Sequence, residues 1–444
     1  MRVHIRRSFG STSSFPAWKP LDYFHHEVLH TSKRSRARVG VIHTPHGPIE
    51  TPGFVPVGTN GALKFVDHRD ADAAGMQLMF SNTLHLLVHP GVDVVRSAGG
   101  LHRFIGRPNQ PLITDSGGFQ IFSFGNPGAL AMPGGQGVGD ADGDANGDGD
   151  GDANGDGDGD ADDGGGGTGC QELKSSRHPA ARNKWAGSGG GLERVTEQGV
   201  HFRSYRDGSR LFLSPETSVE AQKALGADII IPLDELPPAR EAPAKLEASV
   251  QRTHRWEERS LATHLRERQQ QAMYAVIHGG TSERLRRASL EHLTALPFDG
   301  WALGGSLGAD RQEFGALMRF MLPLVPRERP CHLLGIGDLE SIELSVQLGV
   351  DTFDSCFPTR MGRHGGLLTR AGRLKIGRSC FRDDYGPVDP QCDGYVSSNY
   401  SRAYLHHLWK AREPLVHGLL TLHNIQFMMD YMRGIRQRIL RGEV

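Results

Sequence analysis

MYAVIH, at residues 273–278, is a run of five apolar residues that ends in a polar side chain. Polar stretches with helix-like composition precede and follow this run. A short apolar run of this kind is typical of a strand buried on both faces, as in a parallel sheet that helices cover. Residues 273–278 therefore predict one strand of an α/β protein.

The same pattern recurs along the chain. The other runs are FVPV at 54–57, MQLMFS at 76–81, PLIT at 111–114, DIIIPL at 228–233, WALGG at 301–305, HLLGIG at 332–337 and VDTFD at 350–354. Eight buried strands that alternate with helical segments predict a closed (β/α)8 barrel. A doubly wound open sheet is the alternative, because strands are easily miscounted in a single sequence.

The overall composition favours a folded protein without membrane spans. Hydrophobic residues make up 37% of the 444 positions, which suffices for one large barrel domain with extensions. No stretch approaches the roughly 18 uninterrupted apolar residues that a membrane-spanning helix needs. The five cysteines are an odd number scattered over the chain, which favours a reducing compartment over a secreted disulfide framework.

A segment rich in Gly, Asp, Ala and Asn interrupts the pattern at residues 126–191. It carries too few apolar side chains to offset the backbone entropy of folding, so we predict that it is disordered. Its aspartates do not form a calcium-binding loop, because the twelfth position counted from Asp144 is Gly155 and not a bidentate Glu.

Outside the acidic centre of this segment, the chain carries a positive net charge. Residues 140–163 hold eleven aspartates and no Lys or Arg, while the whole chain has 50 basic and 51 acidic residues. Without these aspartates the net charge changes from -1 to +10. A basic body suits a polyanionic partner, although proteins that never contact nucleic acid can also carry such a charge.

The first 21 residues resemble an organelle transit peptide in composition. They contain Arg2, Arg6 and Arg7 and several hydroxyl side chains, and they contain no acidic residue. The alternative is a disordered tail. A targeting segment here predicts location in a mitochondrion or plastid, and otherwise the protein is expected in the cytoplasm.

Several predicted strands end in a polar residue or glycine, namely Asn82, Asp115, Asp234, His278, Gly305 and Asp354. The carboxyl ends of all strands of a parallel barrel open on one face, so these residues are expected to converge there. Two aspartates in one such mouth, Asp115 and Asp354, can serve as nucleophile and proton carrier. For a single strand-end Asp, a helix cap or turn is an equally good interpretation.

A series of motifs resembles the signature of tRNA-guanine transglycosylases, in the same order. These are TDSGGFQ at 114–120, DGSR and LSPE within 207–216, PLDE at 232–235, AVIHGG at 275–280, LGGSLG at 303–308, HLLGIG at 332–337, FDSCFPTRMGRHGG at 353–366 and NYSRAYLHHL at 399–408. The resemblance extends from about residue 38 to residue 444, apart from the acidic insertion. It implies a TIM barrel with an inserted C-terminal subdomain, normally zinc-binding, at residues 380–430.

The resemblance also implies an activity and the residues that perform it. Such enzymes exchange the wobble guanine of tRNA anticodons for queuine or a related deazaguanine. Asp354 matches the nucleophile that attacks C1′ of the ribose and forms a covalent intermediate. Asp115 matches the general acid and base that protonates the departing guanine and deprotonates the incoming base.

The resemblance also implies which residues recognise the base. Asp234, Ser116 and the backbone N–H of Gly305 match groups that hydrogen-bond the base. Phe119 and Leu334 match residues that sandwich it, although either could instead be a core residue. The remaining matches are polar residues around the nucleophile, Asn82 and Gln120.

The pocket departs from the family pattern at several positions. His278 stands where the family usually has Gln, so an imidazole replaces an amide donor to the base. Ser306 and Leu236 also replace the more usual residues. Gly308 matches a position that tends to be Gly in enzymes that take queuine and Val in those that take its smaller precursor, so it favours queuine.

The zinc motif is incomplete. The family binds structural zinc through C-x-C-x-x-C and a distant His, and the matching positions here are Cys392, Gly394, Ser397 and His423. Only Cys392 and His423 are adequate ligands, since tetrahedral structural zinc needs four good donors. Zinc is therefore doubtful. The alternative is packing by the last helix through Leu422, Ile425, Met428, Met432, Ile435 and Ile439.

The expected partners are tRNA and a second subunit. The resemblance places the anticodon loop near Arg360 and Arg363, which would then contact its phosphates. The alternative role for these two arginines is a structural ion pair. It also implies a homodimer, or a heterodimer with a paralogous subunit.

Two other functions stay open, a non-catalytic accessory subunit and a barrel hydrolase of a small heterocycle. No H-x-H or H-E-x-x-H ligand pair stands at the end of a predicted strand or helix, which weighs against the hydrolase.

Overall fold

The computed structural model describes residues 15–125, 191–238 and 241–444. The acidic centre of the predicted insertion therefore lies outside the described residues. The strands in these ranges are β1 (His25–Thr31), β2 (Arg38–Thr44), β3 (Gly47–Thr51), β4 (Gly53–Pro56), β5 (Met79–Ser81), β6 (Leu112–Thr114), β7 (Gly191–Val195), β8 (Val200–Arg203), β9 (Arg210–Leu213), β10 (Ile229–Ile230), β11 (Ala272–Ile277), β12 (Gly300–Leu303), β13 (Cys331–Leu333), β14 (Thr352–Ser355), β15 (Gly366–Thr369) and β16 (Gly372–Lys375).

The α-helices in the same ranges follow most of the strands. They are α1 (His68–Ala73), α2 (Thr83–Val88), α3 (Val92–Ser97), α4 (Leu101–Phe104), α5 (Gly118–Gly125), α6 (Pro215–Leu225), α7 (Pro243–Arg266), α8 (Glu283–Thr294), α9 (Arg311–Met321), α10 (Leu339–Gln347), α11 (Phe357–Arg363), α12 (Tyr395–Asn399), α13 (Arg402–Lys410) and α14 (Leu415–Leu440). None of the described helices is long and apolar enough to cross a membrane.

Eight parallel strands form the central barrel. Their order is β4-β14-β13-β12-β11-β10-β6-β5. A parallel bridge between Val57 and Phe80 joins the first strand to the last and closes the sheet. Each of the eight predicted runs overlaps one of these strands, so the predicted (β/α)8 barrel is confirmed, and the open sheet is excluded.

Alternation along the strands buries both faces of the barrel. In β11, Ala272, Tyr274 and Val276 belong to the cluster inside the barrel. The intervening Met273, Ala275 and Ile277 belong to the larger cluster between the barrel and its helices. Because both sets are apolar, the sequence shows an unbroken apolar run instead of the alternation of a half-exposed strand.

Local sequence sets the ends of the covering helices, as α6 shows. Ser214 accepts a hydrogen bond from the backbone N–H of Thr217, whose hydroxyl bonds the backbone of Ser214 in return. Pro215 occupies the first turn, where its missing N–H costs nothing. The helix ends at Gly226 in the left-handed region, with φ of 75°.

The N-terminal sheet β1–β3 packs at the end of the barrel where the strands begin. The guanidinium of Arg38 donates to both carboxylate oxygens of Asp351, at 2.8 and 2.6 Å, and both side chains are buried. Upstream of this sheet, the ring of Trp18 lies over the guanidinium of Arg329, 4.3 Å from it. Residues 15–21 thus contact the barrel, and residues 1–14 of the proposed targeting segment lie outside the described residues.

The last helix, α14, packs along the barrel by its apolar face. The predicted stripe is buried at every position from Leu422 to Ile439. The arginines beside this stripe contact protein groups. Arg436 donates to the carbonyl oxygen of Gly40 at 3.2 Å and pairs with Glu50, and Arg438 pairs with Glu343. These contacts connect α14 to the N-terminal sheet and to α10.

Two histidines on α7 are held in their neutral form. Burial lowers the pKa of His264 to about 3, and burial with the nearby His292 lowers that of His254 to about 3. Neither ring nitrogen of His264 has a hydrogen-bond partner among the described residues. The unfolded chain binds protons on these rings near pH 6.5, whereas the folded chain does not.

We therefore expect stability to fall as the pH drops below 6.5 toward 3. At pH 5 the loss is about 2 kcal/mol for each of these histidines. Chemical unfolding at several pH values measures it. The variant His264→Met should lose less unfolding free energy than the parent when the pH falls to 5. The control His25→Gln, at an exposed histidine, should behave as the parent. Equal pH dependence of His264→Met and the parent would refute the assignment.

Candidate active site

The carboxyl ends of the barrel strands bring the predicted polar residues to one mouth. Asp115 follows β6, Asp234 follows β10, His278 follows β11 and Gly305 follows β12. Asp354 lies within β14, which pairs with β4 through the register Asp354 to Val55. The two proposed catalytic aspartates are therefore separated around the barrel only by β4 and β5.

Asp354 is buried and held by one of its two carboxylate oxygens. Nε2 of His332 lies 3.0 Å from Oδ1, and the backbone N–H of Gly335 donates to the same oxygen at 3.0 Å. No hydrogen bond from the described residues reaches Oδ2. One oxygen is thus anchored to the barrel wall, and the other is available to a substrate.

Asp115 is buried in a set of hydrogen-bond donors. Nδ2 of Asn82 and Nε2 of Gln120 donate to Oδ2 at 2.9 and 2.8 Å, and the backbone N–H of Thr83 donates to Oδ1 at 2.7 Å. Asn82 and Gln120 were predicted around the nucleophile, and the structure places them on the proposed acid and base instead. The reason is that Asn82 directly follows β5, the neighbour of β6 in the barrel, and that Gln120 lies on α5, which directly follows β6.

Burial also adjusts the acidity of Asp115. Loss of solvation raises the pKa of its carboxyl above the ordinary value, and the hydrogen bonds that it accepts offset this rise only in part. A raised pKa keeps the protonated form of a carboxyl accessible at a higher pH than usual, which favours proton transfer to a departing group. The environment of Asp115 therefore suits a general acid and base.

A third carboxylate, Asp234, lies at the mouth beside His278. Oδ2 of Asp234 is 2.7 Å from Nε2 of His278, and its Oδ1 is 3.4 Å from the hydroxyl of Ser116. Because a carboxylate only accepts hydrogen bonds, Nε2 of His278 is the donor. In this structure His278 positions Asp234, and the sequence had predicted it as a direct ligand of the base.

Glycines let the loop after β12 approach these side chains. Gly305 has φ of 74°, and a Cβ there would lie 2.9 Å from Nδ1 of His278. Gly308 has φ of 114°, and its Cβ would lie 2.9 Å from the backbone nitrogen of Phe314 in α9. A side chain at 308 would push the loop away from α9, so this glycine allows the loop to sit back from the mouth.

The proposed base-sandwiching residues differ in exposure. Phe119, at the start of α5, keeps 37% of its surface exposed, which is unusual for an aromatic ring beside a barrel mouth. Leu334 is partly buried and packs against the cluster inside the barrel. Leu236 is buried with α5 and α7 residues. Phe119 is thus available for stacking, and Leu334 borders the core.

Arg286 organises the loop that carries Ser306, and the sequence analysis missed it. Its buried guanidinium donates to the carbonyl oxygens of Ile277, Gly304 and Ser306 at 2.6, 2.8 and 2.8 Å. Burial lowers the pKa of Arg286 to about 9. The ends of β11 and β12 are tied together by this side chain. Nothing in the sequence of α8 distinguishes Arg286 from the neighbouring Arg284 and Arg287, so the sequence gives no signal for such a role.

His332 is the other residue that the sequence analysis overlooked. HLLGIG is predicted as a strand and matches a family motif, whereas the predicted site residues follow from their positions at the ends of strands. His332 stands at the beginning of that run, and its imidazole contacts Asp354 on the neighbouring strand. A polar residue in an otherwise apolar buried run was the available signal.

The basic residues predicted for tRNA follow the proposed nucleophile. Arg360 and Arg363 lie on α11, directly after β14, and both are partly exposed. Gly362, between them, packs so closely on α14 that a Cβ would lie 2.8 Å from the backbone nitrogen of Thr421. This packing fixes α11 with its two arginines at the rim of the mouth.

The residues at the incomplete zinc motif do not fit a zinc ion. His423 is buried, its Nε2 donates to the carbonyl oxygen of Leu368 at 2.8 Å, and its Nδ1 lies 3.3 Å from the hydroxyl of Ser397. Both ring nitrogens are thus engaged. Gly394 supplies no donor, and a Cβ there would lie 2.5 Å from Cγ of Gln426. A structural zinc ion needs four protein ligands, usually Cys and His, that point to one centre.

Among the described residues, one group of His, Cys, Asp or Glu has ligand atoms close enough for a metal ion. It consists of His46, His102 and Asp228 at the amino-terminal end of the barrel strands, opposite the mouth. Both histidines lie within hydrogen-bonding distance of the carboxylate, at 2.8 and 3.0 Å, and their rings stack at 3.6 Å. The backbone N–H of Leu112 donates to Asp228 as well. These hydrogen bonds connect the β2–β3 turn and α4 to the barrel.

Comparison with known proteins places this geometry in context. The family model described as queuine tRNA-ribosyltransferase matches residues 32–133 and 186–444. The Queuine tRNA-ribosyltransferase of Protochlamydia amoebophila (strain UWE25) is 48% identical over 419 residues, which cover 94% of this chain and 96% of the relative. Those of Chlamydia abortus (strain DSM 27085 / S26/3) and Chlamydia caviae (strain ATCC VR-813 / DSM 19441 / 03DC25 / GPIC) are 45% identical over 418 residues, or 94% of this chain and 98% of each relative. The matched residues include every strand of the barrel.

Proposed function

Because the chain belongs to the queuine tRNA-ribosyltransferase family and is a tRNA-guanine transglycosylase, we propose that Asp354 is its nucleophile and Asp115 its general acid and base. The family and the pentosyltransferase class predicted from the sequence motifs are confirmed. The observation that carries the assignment is that Oδ2 of Asp354, at the barrel mouth, accepts no hydrogen bond from the described part of the chain.

The reaction proceeds in two displacements at C1′ of the ribose. Oδ2 of Asp354 attacks C1′, and the electron pair of the glycosidic bond leaves with guanine, which takes the proton of Asp115. The incoming base then gives a proton to the Asp115 carboxylate and attacks C1′, and Asp354 departs as a carboxylate. Two displacements split one difficult substitution into two easier steps and retain the configuration at C1′.

The base is held between these two aspartates. The Asp234 carboxylate accepts from the N–H edge of a guanine-like ring, the Ser116 hydroxyl and the N–H of Gly305 add hydrogen bonds, and Phe119 stacks on the ring. His278 supports this recognition by orienting Asp234 at 2.7 Å. Arg360 and Arg363 then contact the phosphates of the anticodon loop.

We further propose queuine as the incoming base. Gly308 keeps the loop after β12 against α9, which leaves room at the mouth for a base with a bulky substituent. Incubation of the isolated protein with guanosine-containing tRNA and either queuine or its smaller precursor tests this, with mass spectrometry of the tRNA as the measurement. Incorporation of queuine without a partner protein supports the proposal, and preference for the precursor contradicts the choice of base.

The same protein is proposed to fold without zinc. Dialysis against a chelator should leave its melting temperature unchanged. The matched control is the combined variant Gly394→Cys, Ser397→Cys and Gln426→Ala, which supplies four donors and removes the side chain that blocks position 394. That variant should take up zinc and become sensitive to the chelator. A parent protein that loses stoichiometric zinc and melts at lower temperature after dialysis would exclude the proposal.

We propose that the working unit is a homodimer. Tyr395 and Tyr404 expose 58% and 41% of their surface, and the ring of Tyr400 stacks on Tyr404 at 5.7 Å. Exposed aromatic clusters of this kind are typical of interfaces. The variant Tyr404→Asp should shift the molar mass measured by light scattering from dimer to monomer, whereas Tyr385→Asp, at a more isolated exposed tyrosine, should not. A monomeric parent protein would contradict this proposal.

A further inference from the structure

His332 lies below the proposed nucleophile, inside the barrel. It is fully buried in β13, and the register pairs it with Thr352 of the neighbouring strand β14. Its Nδ1 lies 2.8 Å from Oγ1 of Thr352, and its Nε2 lies 3.0 Å from Oδ1 of Asp354. The ring of Phe80 stacks near it at 6.4 Å. Three polar side chains thus form one row in an apolar interior.

If the imidazole of His332 is neutral, only one placement of its hydrogen satisfies both of its hydrogen bonds. A carboxylate only accepts hydrogen bonds, so Nε2 of His332 carries the hydrogen. Nδ1 is then the acceptor, and the hydroxyl of Thr352 is the donor to it. The threonine thereby fixes the tautomer that places an N–H, and not a lone pair, against Asp354.

This arrangement makes the two oxygens of Asp354 different. Oδ1 accepts from His332 and from the N–H of Gly335, which holds the carboxylate plane at two points. We propose that Thr352 and His332 form a positioning pair that presents Oδ2 of Asp354 to C1′ and keeps Oδ1 as the carbonyl oxygen of the ribosyl ester. The inference rests on the proposed function of Asp354.

The positioning pair keeps its protons throughout the reaction. When Oδ2 bonds to C1′, the negative charge of the carboxylate is lost, and the pair of the glycosidic bond leaves with guanine. Oδ1 remains an acceptor for the same two N–H groups. When the second base displaces Oδ2, the electron pair of the O–C1′ bond returns to the carboxylate, and the two donors stabilise the charge that reappears.

Fixed donors of this kind reduce the reorganisation needed at each step. A carboxylate without them would rotate about its Cα–Cβ and Cβ–Cγ bonds, and attack from a misaligned oxygen is slow. Neither His332 nor Thr352 touches the substrate in this account, so both act through Asp354. Their loss should therefore change kcat while leaving the KM for tRNA nearly constant.

Substitutions of His332 test the donor. His332→Phe keeps an aromatic ring in the cavity and removes the N–H, and we expect kcat to fall by about 30- to 100-fold, as for other groups that orient a reacting ligand. His332→Gln retains an amide N–H near the position of Nε2 and should recover kcat to within about 10-fold of the parent. A purely structural role predicts no advantage for Gln over Phe.

Substitutions of Thr352 test the tautomer with a smaller change in shape. Thr352→Val removes the hydroxyl, so that the ring can place a lone pair against Asp354, and we expect kcat to fall by about 10-fold. Thr352→Ser retains the hydroxyl and should behave as the parent. These two variants decide the question if His332→Phe does not fold, which thermal unfolding of each variant establishes.

The assay is the single-turnover formation of the tRNA–protein adduct on a denaturing gel, together with kcat and KM for guanine exchange. Asp354→Asn serves as the reference. If Asp354→Asn remains active, the proposed function fails, whatever the other variants do. If Asp354→Asn is inactive while His332→Phe and Thr352→Val keep the parental kcat, the positioning role alone is wrong. Loss of kcat with recovery by Gln and by Ser supports the positioning pair.

Discussion

Asp354→Asn is expected to lower the rate of base exchange by at least about 10⁴-fold, because an amide cannot form the covalent intermediate. The substitution should leave the fold intact. The amide oxygen can take the place of Oδ1 and accept from His332 and Gly335, and the NH2 group then occupies the free position of Oδ2. Affinity for tRNA should change little, since the surrounding contacts persist. Exchange of labelled guanine and binding by filter retention measure the two effects.

The matched control for this prediction is Asp384→Asn. Asp384 is a partly exposed carboxylate that pairs with Arg402 in the C-terminal subdomain, away from the barrel mouth. Its substitution should leave exchange at the parental rate. Exchange by Asp354→Asn within about 10-fold of the parent would show that the carboxylate is not the nucleophile.

Asp115→Asn is expected to lower the exchange rate by about 10²- to 10⁴-fold through the loss of proton transfer. The departing guanine would leave without a proton, and the incoming base would keep its own. Because all three neighbours of Asp115 are donors, the new NH2 group also faces a donor, so some loss of stability is expected. Unfolding measurements separate this loss from the change in rate.

A second variant keeps the carboxyl and changes only its acidity. Gln120→Met removes one donor to Asp115, and this should raise the pKa of the carboxyl further. If the ionised form of Asp115 is needed in a rate-limiting step, the low-pH side of the rate profile moves to higher pH. Activity should persist at high pH. An unchanged profile in Gln120→Met together with near-parental exchange in Asp115→Asn would remove Asp115 from the mechanism.

The barrel could be predicted from the sequence because its strands are buried on both faces. In β11 the residues that face the interior and those that face the helices are equally apolar, so each strand is visible as an uninterrupted run. The same property placed Asp115, Asp234 and Asp354 correctly at one mouth, since the carboxyl ends of parallel strands share one face.

The contacts within the mouth could not be predicted in the same way. Asn82 and Gln120 were expected near the nucleophile, and they donate to Asp115. That choice depends on which strand ends are neighbours and on side-chain rotamers, and neither is encoded in a linear motif. His332 and Arg286 were missed for a related reason, because each acts across a strand boundary through a buried polar contact.

His278 shows how a departure from the family pattern acquires a meaning in the structure. From the sequence it replaces an amide that contacts the base. In the structure its Nε2 donates to Asp234 instead, and Gly305 leaves the space that the ring needs. The imidazole therefore supports the carboxylate that we propose to recognise the base, much as His332 supports the carboxylate that we propose to attack the ribose.

The most direct measurement for the central role of Asp354 is mass spectrometry of the denatured tRNA–protein adduct after protease and nuclease digestion. We predict a ribosyl remnant on the peptide that contains Asp354, its disappearance after addition of free guanine, and its absence from Asp354→Asn. A remnant attached to Asp115 or to any other side chain would show that Asp354 is not the nucleophile.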